Sequence, residues 1–394
     1  MFREEAGRLT GSLVRLLGDF DVAEEIVQDT LLAALERWRR DGIPARPGAW
    51  LSTAARRRAI DRLRRNASYR QKVAMLETDP APAPGPDDRL QLIFTCCHPS
   101  LSAEAQVALT LRAVCGFTTA EIAAAFLASE AAIAQRIARA RRKIVQARIP
   151  YRVPSDGEMA ERLGQVLAVL YLMFNEGYLS GTAGAPARRD LAEDAAWLAA
   201  LLTRLLPAEP EALGLLALMQ LHMARAAARF DARGDLVLLL DQDRSRWDRG
   251  AIASAVQLIE RAGAMRRPGP YQVQAAIAAC HAEASSWTET DWLQILVLYD
   301  LLLQMTPSPV IRLNRAVAVG RVAGPEAALA EVDALAGELN GYHLFHATRG
   351  ELLFELGRLE QSRAAELRAI ALTANGAERA LLERRLGRDA ARPT

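Results

Sequence analysis

The sequence predicts an all-α protein. Alanine, leucine, arginine and glutamate, which favour helices, dominate its 394 residues, and runs of alternating β-branched residues are absent. Apolar residues recur three and four positions apart along most of the chain, which is the spacing of one helix face. This length is enough for two or three domains, each with its own core.

The first part of the chain predicts three helices, over about 2–17, 22–40 and 48–66. Glycine and proline residues between 41 and 48 separate the second helix from the third. The Pro/Ala-rich segment that ends at residue 88 predicts an extended, fairly stiff linker. Its simplest interpretation is a spacer between two domains.

A helix-turn-helix is predicted after two short helices near 90–96 and 102–115. Thr119 and Ser129 stand where N-caps would open its two helices. Each helix carries two large apolar residues four positions apart, Ile122 and Phe126 in the first, Ile133 and Ile137 in the second. These pairs give each helix one stripe with which to pack on the other.

The charge of the chain is unevenly distributed. Residues 1–150 carry 23 Lys and Arg against 17 Asp and Glu, whereas residues 151–394 carry 26 against 30. Between 112 and 152 there are eight basic residues and only two acidic ones. A helix-turn-helix with such a cationic second helix is typical of proteins that bind DNA phosphates and enter a major groove.

The second half predicts further helices near 158–178, 190–206, 209–228, 249–263, 271–286 and 289–305. The tail suggests a repeat, because small residues recur when Gly320 is aligned with Gly357, Ala327 with Ser362 and Ala334 with Ala369. The last two pairs give a period of 35 residues, close to that of tetratricopeptide repeats, and Gly350 is expected at a close helix crossing. We therefore expect stacked helix pairs in a right-handed α-solenoid-like domain, with a single pair of α-hairpins as the alternative.

Two helices near the N-terminus have unusual charge. The helix over 22–40 carries acidic residues on one side, a pattern that on spacing alone fits an ordinary solvated face. The helix over 48–66 carries six arginines between 56 and 65. With Trp38 and Trp50 nearby, these arginines could contact phosphates beside an aromatic surface that stacks on a base.

These segments together resemble a sigma factor of bacterial RNA polymerase, of the extracytoplasmic-function type in the sigma-70 family. The acidic helix resembles region 2.2, the helix Trp50–Arg65 resembles region 2.4, and Leu101–Ile144 resembles region 4 with its promoter-reading helix-turn-helix. The remainder, including Phe94–Pro99, is similar to a subgroup with a large tetratricopeptide-like C-terminal extension that is implied to regulate the factor. The resemblance divides the chain into region 2 (1–72), linker (73–88), region 4 (89–150) and extension (151–394).

The resemblance implies three sets of contacts. The clamp of the largest polymerase subunit would bind Asp21, Glu24, Glu25, Gln28 and Asp29. The −10 promoter element would be held by Trp38, Arg39, Arg46, Trp50, Arg56, Arg57, Arg58, Arg62 and Arg65, with the loop 39–49 accepting a flipped base. The −35 element would be read by Ser129, Ala132, Gln135, Arg136, Arg139, Arg141 and Arg142.

The implied partners are therefore core RNA polymerase, through its clamp and β flap, and promoter DNA. The linker would run toward the RNA exit channel, and a regulatory protein is a further partner expected for the extension. Two residues depart from the family pattern. Leu127 stands where the turn of the helix-turn-helix usually has glycine, and Arg57 stands where region 2.4 commonly has asparagine.

Other motifs that suggest chemistry have simpler interpretations. The adjacent cysteines of Cys96-Cys97-His98 cannot both reach one tetrahedral ion, so they and Cys115 are expected to be buried. Cys280 and His281 diverge by about 100° on a helix and cannot form a nucleophile–base pair. The acids of 241–248 lack the glycine and glutamate of a calcium loop, and we expect a local salt-bridge network there.

The sequence thus predicts a transcription initiation factor and not an enzyme, with no cofactor and no metal. The cysteine content and the absence of a signal peptide or a long apolar segment predict a soluble cytoplasmic chain with no membrane partner. The main alternative is a stand-alone helix-turn-helix regulator with a tetratricopeptide-like sensor. That alternative, like a pure scaffold, leaves part of the charge pattern unexplained.

Overall fold

The computed structural model describes residues 2–65, 88–126, 128–179 and 186–390. Within these ranges the regular structure is helical, apart from one isolated β-bridge between Phe230 and Leu236. The chain divides into two compact units, the first made of 1–178 with 187–195 and the second of the remaining residues. No helix in the described part is both long and apolar enough to cross a membrane.

The first unit opens with three helices, α1 (Phe2–Leu17), α2 (Phe20–Asp41) and α3 (Pro47–Arg65). Asp19 caps α2, because its Oδ1 accepts hydrogen bonds from the backbone N–H groups of Asp21 and Val22 at 2.9 and 3.1 Å. The apolar faces of the three helices share one core. The three-helix prediction for this part of the chain is confirmed.

Five further helices complete the α-helical framework of this unit: α4 (Asp88–Cys96), α5 (Ala103–Ala113), α6 (Thr119–Ala125), α7 (Glu130–Gln146) and α8 (Asp156–Leu179). Ser129 caps α7 as predicted, with its Oγ 3.2 Å from the backbone nitrogen of Ala132. The predicted linker up to residue 87 and the turn residue Leu127 lie outside the described residues.

The N-cap of α6 is Thr118, so the prediction of Thr119 was wrong by one residue. The Thr118 hydroxyl accepts from the backbone nitrogen of Glu121 at 3.1 Å, and the Glu121 carboxylate accepts from the backbone nitrogen of Thr118 at 2.7 Å. This reciprocal pair is a capping box, which needs Glu three residues after the cap. Thr119 has no acid three residues after it. The capping-box spacing in the sequence therefore indicates Thr118 as the cap.

Helix α8 belongs to the first unit, whereas the resemblance placed it in the extension. Arg162 on this helix donates to the carbonyl of Phe94 in α4. Gln165 donates to the side-chain oxygen of Gln106 at 2.9 Å, and Gln106 itself is buried and donates to the carbonyl of His98 at 2.9 Å. Because buried amides need such partners, these contacts hold α8 against the helices of region 4 within the first unit.

The remaining helices are α9 (Pro186–Leu205), α10 (Pro210–Ala224), α11 (Arg249–Ala264), α12 (Pro270–Glu283), α13 (Trp292–Met305), α14 (Pro309–Ala323), α15 (Pro325–Asp333), α16 (Ala336–Leu339), α17 (His343–Glu355), α18 (Leu359–Leu372) and α19 (Gly376–Ala390). From α10 onward, the long helices pack mainly on helices one or two places away in the sequence, as α10 packs on both α11 and α12. Short-range packing of this kind is typical of stacked helical repeats.

Two helix hairpins of the second unit repeat with a period of 34 residues. The first is α14 with α15 and the second is α17 with α18, and their helices begin at 309 and 325, then at 343 and 359. At this spacing buried positions coincide, as Ala316 with Gly350 and Ala328 with Ser362. The predicted period of 35 was wrong by one residue. The number 34 is also the tetratricopeptide period.

The glycines used to detect the repeat have different roles. A Cβ on Gly350 would lie 2.9 Å from Cγ of Glu366, which confirms the close crossing of α17 and α18. Gly320 lies inside α14 near Ala328, whereas Gly357 has a φ of +71° in the turn after α17. Gly320 and Gly357 are therefore not equivalent, because one permits helix packing and the other permits a left-handed backbone.

Candidate nucleic-acid interface

The predicted polymerase-binding residues lie along α2, and four of the five are exposed. Asp21, Glu25, Gln28 and Asp29 face solvent, whereas the side chain of Glu24 is 15% exposed. The Gln28 amide donates to Glu24 at 3.2 Å. The acidic face therefore has a half-buried centre and an exposed rim.

Glu24 is held by two arginines from the region 4 part of the unit. Arg112 of α5 and Arg141 of α7 both form ion pairs with its carboxylate, and Arg141 also pairs with Asp21. The side chains of Arg112 and Arg141 are only 17% and 15% exposed. Burial acts to lower the pKa of Arg141, but the charges and hydrogen bonds of Glu24 and Asp21 outweigh it and raise the pKa. We call these four residues the inter-region ion cluster.

Backbone contacts join the same two parts of the unit. A Cβ on Gly7 of α1 would lie 2.4 Å from the carbonyl oxygen of Val114, so only glycine allows this approach. The Tyr151 hydroxyl lies 2.8 Å from the carbonyl oxygen of Gly11 and 3.2 Å from that of Asp88. Regions 2 and 4 are therefore packed together in this state, and the ion cluster lies at their junction.

Trp38 is a correction to the predicted −10 surface. Its side chain is 8% exposed and belongs to the core of α1–α3, so its ring faces cannot stack on a base. It instead packs edge-on against Trp50, with ring centroids 5.6 Å apart. Trp50 is half-buried and has the Arg37 guanidinium 6.0 Å from its ring centroid. Trp50 is therefore the aromatic residue that the surface presents, and Trp38 supports it.

A groove of about 680 Å³ lies between α2 and α3 at this point. Its walls are formed by Ala33, Arg37, Ala49, Trp50, Thr53, Ala54, Arg57, Arg58 and Asp61. Arg57 is exposed, and Arg58 donates to the hydroxyl of Thr30 at 3.4 Å. Arg37 was not predicted, although its position one turn before the end of α2 could have indicated it. Three cations and one aromatic ring thus line a concave surface that can accept an anionic, stacking ligand.

The other predicted −10 residues lie around this groove without lining it. Arg39 and Arg46 are exposed, and Arg56 is half-buried. Arg62 forms an exposed ion pair with Glu25 at 3.3 Å. Arg65 ends α3, and its side chain is outside the described part of the chain.

The predicted −35 helix, α7, divides its cations between two directions. Its buried stripe is formed by Ile133, Ile137, Ala140 and Ile144. The side chains of Ala132, Gln135, Arg139 and Arg142 are exposed, and Arg136 forms an ion pair with Glu104 at 3.0 Å. Arg141 instead points to α2. Arg139 and Arg142 are therefore accessible to DNA in this state, whereas Arg141 is occupied by the ion cluster.

Comparison with known proteins decides the family. Residues 1–69 match the family described as Sigma-70 region 2, and residues 91–144 match Sigma-70, region 4. The ECF RNA polymerase sigma factor SigL of Mycobacterium tuberculosis is 32% identical over 143 residues, which cover 35% of this chain and 80% of the relative. The chain belongs to the extracytoplasmic-function family of sigma factors. This family assignment implies core RNA polymerase and promoter DNA as partners.

The part of this sigma factor that follows region 4 also has relatives. An uncharacterised protein of Rhizobium meliloti (strain 1021) is 46% identical over 397 residues, covering 97% of this chain and 93% of the relative. Residues 162–263 match a family of unknown function, DUF6596. No solved structure matches the chain. The extension is therefore part of the architecture of at least one relative.

The cysteine and histidine motifs of this sigma factor are explained by packing. Cys96, Cys97 and Cys115 are buried, as predicted, and burial raises the pKa of Cys97 to about 12. His281 stacks on Trp287, with ring centroids 6.0 Å apart, and burial, with nearby arginines, lowers its pKa to about 4. In the described part of the chain, no three His, Cys, Asp or Glu residues are grouped so that they could hold a metal ion.

The salt-bridge network predicted for 241–248 was wrong. Neither Arg244 nor Arg246 pairs with a carboxylate within the described residues. Asp243 and Asp248 instead accept hydrogen bonds from nearby backbone N–H groups as caps of a 3₁₀ turn and of α11. Aspartate is a favoured N-cap residue, and a carboxylate that accepts from backbone N–H groups at a helix start is not available to pair with a nearby arginine in the same geometry.

The ion cluster generates the first prediction. Replacing Glu24→Gln removes the carboxylate that Arg112 and Arg141 share and leaves Arg141 only its pair with the exposed Asp21, which we expect to lower the free energy of unfolding by about 2 kcal/mol. The matched control is Glu25→Gln, which breaks an exposed pair with Arg62 and is expected to cost less than about 1 kcal/mol. Thermal unfolding of both full-length variants, followed by circular dichroism, measures the difference. Equal losses would show that the cluster does not join the two regions.

Proposed function

We propose that this sigma factor binds core RNA polymerase, recognises the −35 and −10 promoter elements and promotes DNA-templated transcription initiation under the control of its extension. The observation that carries the proposal is the combination, in one unit, of an acidic helix, an arginine-lined aromatic groove and a cationic recognition helix. Each lies in the region that the family assignment expects.

The exposed rim of α2 is the proposed polymerase contact. Glu25, Gln28 and Asp29 face solvent on one helix, and Asp29 forms no ion pair among the described residues. An acidic, solvent-facing surface suits a basic partner, and its charge would both steer the encounter and fix its orientation. Glu24 would join this contact once it is released from its arginines.

The groove of Trp50 is the proposed site for the −10 element. Stacking of an unpaired base on an exposed aromatic ring contributes about 1–3 kcal/mol, and the cations of Arg37 and Arg57 would hold the adjoining phosphates. Opening of the duplex would then be driven by capture of an unstacked base. Trp38 would act only by fixing the orientation of Trp50.

The exposed face of α7 is the proposed −35 reader. Gln135 can pair with adenine and Arg139 with guanine in the major groove, whereas Arg142 is better suited to a phosphate. Ser129 caps the N-terminus of the helix, and Ala132 in its first turn is exposed. Base reading is thus assigned to Gln135 and Arg139, and contact with the DNA backbone to Arg142.

The packing of regions 2 and 4 bears on how the factor is controlled. Glu24 is assigned to polymerase and Arg141 to DNA, yet each satisfies the charge of the other in this state. Both contacts can form only when the ion cluster opens. We infer that the packed state is a resting form, and that polymerase, DNA and the extension shift the balance between the resting and the open form.

A charge reversal tests the polymerase contact. Asp29→Lys is expected to weaken binding to purified core polymerase at least about tenfold, because a lysine there would repel a basic partner surface. Glu36→Lys is the matched control, since Glu36 is also an exposed acid on α2 but outside the proposed contact. Fluorescence anisotropy with labelled sigma factor measures both. Unchanged binding of the Asp29 variant would contradict the assignment.

Two arginines of α7 separate base reading from phosphate contact. Arg139→Ala is expected to cost about 1–3 kcal/mol on the correct −35 sequence and to relax discrimination between sequences. Arg142→Ala is expected to weaken all sequences alike and to reduce the slope of log affinity against log salt by about 1. Gel-shift titrations of the polymerase holoenzyme at several salt concentrations measure both effects. Identical behaviour of the two variants would exclude this division of roles.

Run-off transcription tests the function and the role of the extension together. With core polymerase and fragments that include the region upstream of its own gene, the full chain is expected to give discrete transcripts. A chain ending at residue 195, which keeps all of the first unit, is expected to change their yield by at least about fivefold. An unchanged yield would remove the regulatory role. No transcripts from either chain, with duplex binding retained, would favour a stand-alone regulator.

A further inference from the structure

A long connection in the second unit and the helix that follows it bring together three arginines that form no ion pair among the described residues. The segment 225–248 joins α10 to α11 through three 3₁₀ turns and one β-bridge instead of a regular helix. Connections of this length within a compact domain are uncommon and are usually functional. This segment and α11 supply Arg225, Arg244 and Arg249, which we call the arginine cluster.

The arginine cluster contains a buried guanidinium with unused hydrogen-bonding capacity. Arg244 is 8% exposed, and its Nη1 donates to the carbonyls of His281 and Ala284 at 2.6 and 2.7 Å. Its Nη2 is buried and has no partner. The guanidinium carbon lies 4.7 Å from the ring centroid of Trp247, whose own Nε1 is also buried and unpartnered. Unsatisfied buried donors are rare in folded proteins and require an explanation.

The other two arginines add charge at the same place. Arg249 donates to the carbonyl of Ala282 at 3.2 Å and to that of Arg244 at 3.5 Å, and Arg225 donates to Nδ1 of His222 at 3.1 Å. Within the described residues, none of the three forms an ion pair with a carboxylate. Several other arginines of this unit are paired, as Arg315 is with Asp300 and Glu331.

The closeness of these arginines lowers the pKa values of ionisable groups in and beside the cluster. Burial, and then the charges of Arg249 and Arg225, lower the pKa of Arg244. Burial followed by Arg225 and Arg244 lowers the pKa of His281 to about 4. The charges that act on these groups are therefore positive, and the histidine is neutral at pH 7 and adds no charge of its own.

Capping of helix ends explains only part of the cluster. Arg244 and Arg249 satisfy carbonyls at the C-terminus of α12, and Arg225 follows the C-terminus of α10. Each helix end supplies about half a negative charge, so two ends offset about one of the three positive charges. The rest of the positive charge is not paired with a carboxylate among the described residues, and two buried N–H donors lack a hydrogen-bond partner. This combination suits a dianionic ligand that only accepts hydrogen bonds.

We propose that the arginine cluster binds the phosphate group of a small molecule. A phosphate monoester carries about −1.5 to −2 charges at pH 7 and offers only acceptor oxygens, which matches the residual charge and the donors of the site. Nη2 of Arg244 can donate to such an oxyanion, and Arg225 and Arg249 lie at the more accessible edge of the cluster. A duplex backbone cannot approach the buried Arg244 as closely. The site lies outside the proposed polymerase and promoter contacts and does not depend on them.

Phosphate binding by the full chain tests this inference. Inorganic phosphate, compared with chloride at the same ionic strength, is expected to raise the melting temperature of the second unit. Isothermal titration calorimetry with inorganic phosphate gives the affinity. Arg225→Gln and, separately, Arg249→Gln are expected to weaken that affinity by about tenfold, as loss of one charge-assisted hydrogen bond implies. Arg233→Gln, an exposed arginine of the same segment, is the matched control and should leave the affinity unchanged.

The alternative outcomes each decide against the proposal. No phosphate-dependent effect would leave helix capping as the whole explanation of the cluster. An equal effect in the wild type and in the variants of Arg225 and Arg249 would place phosphate elsewhere, such as on the arginines of the first unit. Binding of a short DNA duplex that is lost in the Arg225 variant, without binding of phosphate, would make the cluster a nucleic-acid contact instead.

Discussion

The carboxylate of Glu24, held between Arg112 and Arg141, is the contact on which the arrangement of the first unit depends. The three side chains are mostly removed from solvent, so each charge needs the others to remain buried. This contact joins the acidic face of region 2 to the recognition helix of region 4. Because both faces are assigned to other partners, one ion cluster determines whether the two functional surfaces are separately available.

Because of the same contact, polymerase and DNA would each have to compete with the ion cluster for the residues that they bind. A partner that binds Glu24 must replace the charges of two arginines, and DNA that binds Arg141 must replace two carboxylates. Exposed residues such as Asp29 and Arg139 need no such exchange and are accessible in both forms. If the proposed contacts hold, an encounter would begin at the exposed rim and would then open the buried centre.

The second unit shows how differently arginines can be compensated within one fold. Arg349 pairs with Asp333 and Arg315 with two acids, and these pairs lie between consecutive helices of the stack. The arginine cluster has carbonyls and a histidine as its partners instead. Carbonyls satisfy N–H donors but neutralise little charge. The arginines of the cluster therefore have hydrogen-bond partners, but most of their positive charge is not neutralised. This difference distinguishes a structural arginine from one that is available to an anion.

Much of the local structure was predictable because it depends on short-range patterns. The helices and the Ser129 cap follow from apolar spacing and from capping chemistry over three or four residues. The repeat was found with an error of one residue, since small residues mark a crossing without fixing its register. Trp38 was assigned to DNA because its sequence position beside arginines does not reveal which side of α2 packs on the core.

The sequence by itself determined the helical class, the cationic and acidic helices and the order of regions that identifies the family. These follow from propensity, periodicity and charge along the chain. Only the tertiary structure decided which charged residues form pairs. Glu24 and Arg141 lie far apart in the sequence, and a pattern of charges along the chain does not show which acid pairs with which arginine. The tertiary structure also decided that α8 completes the first unit and that Arg244 is buried without an acid, because burial depends on packing between distant segments.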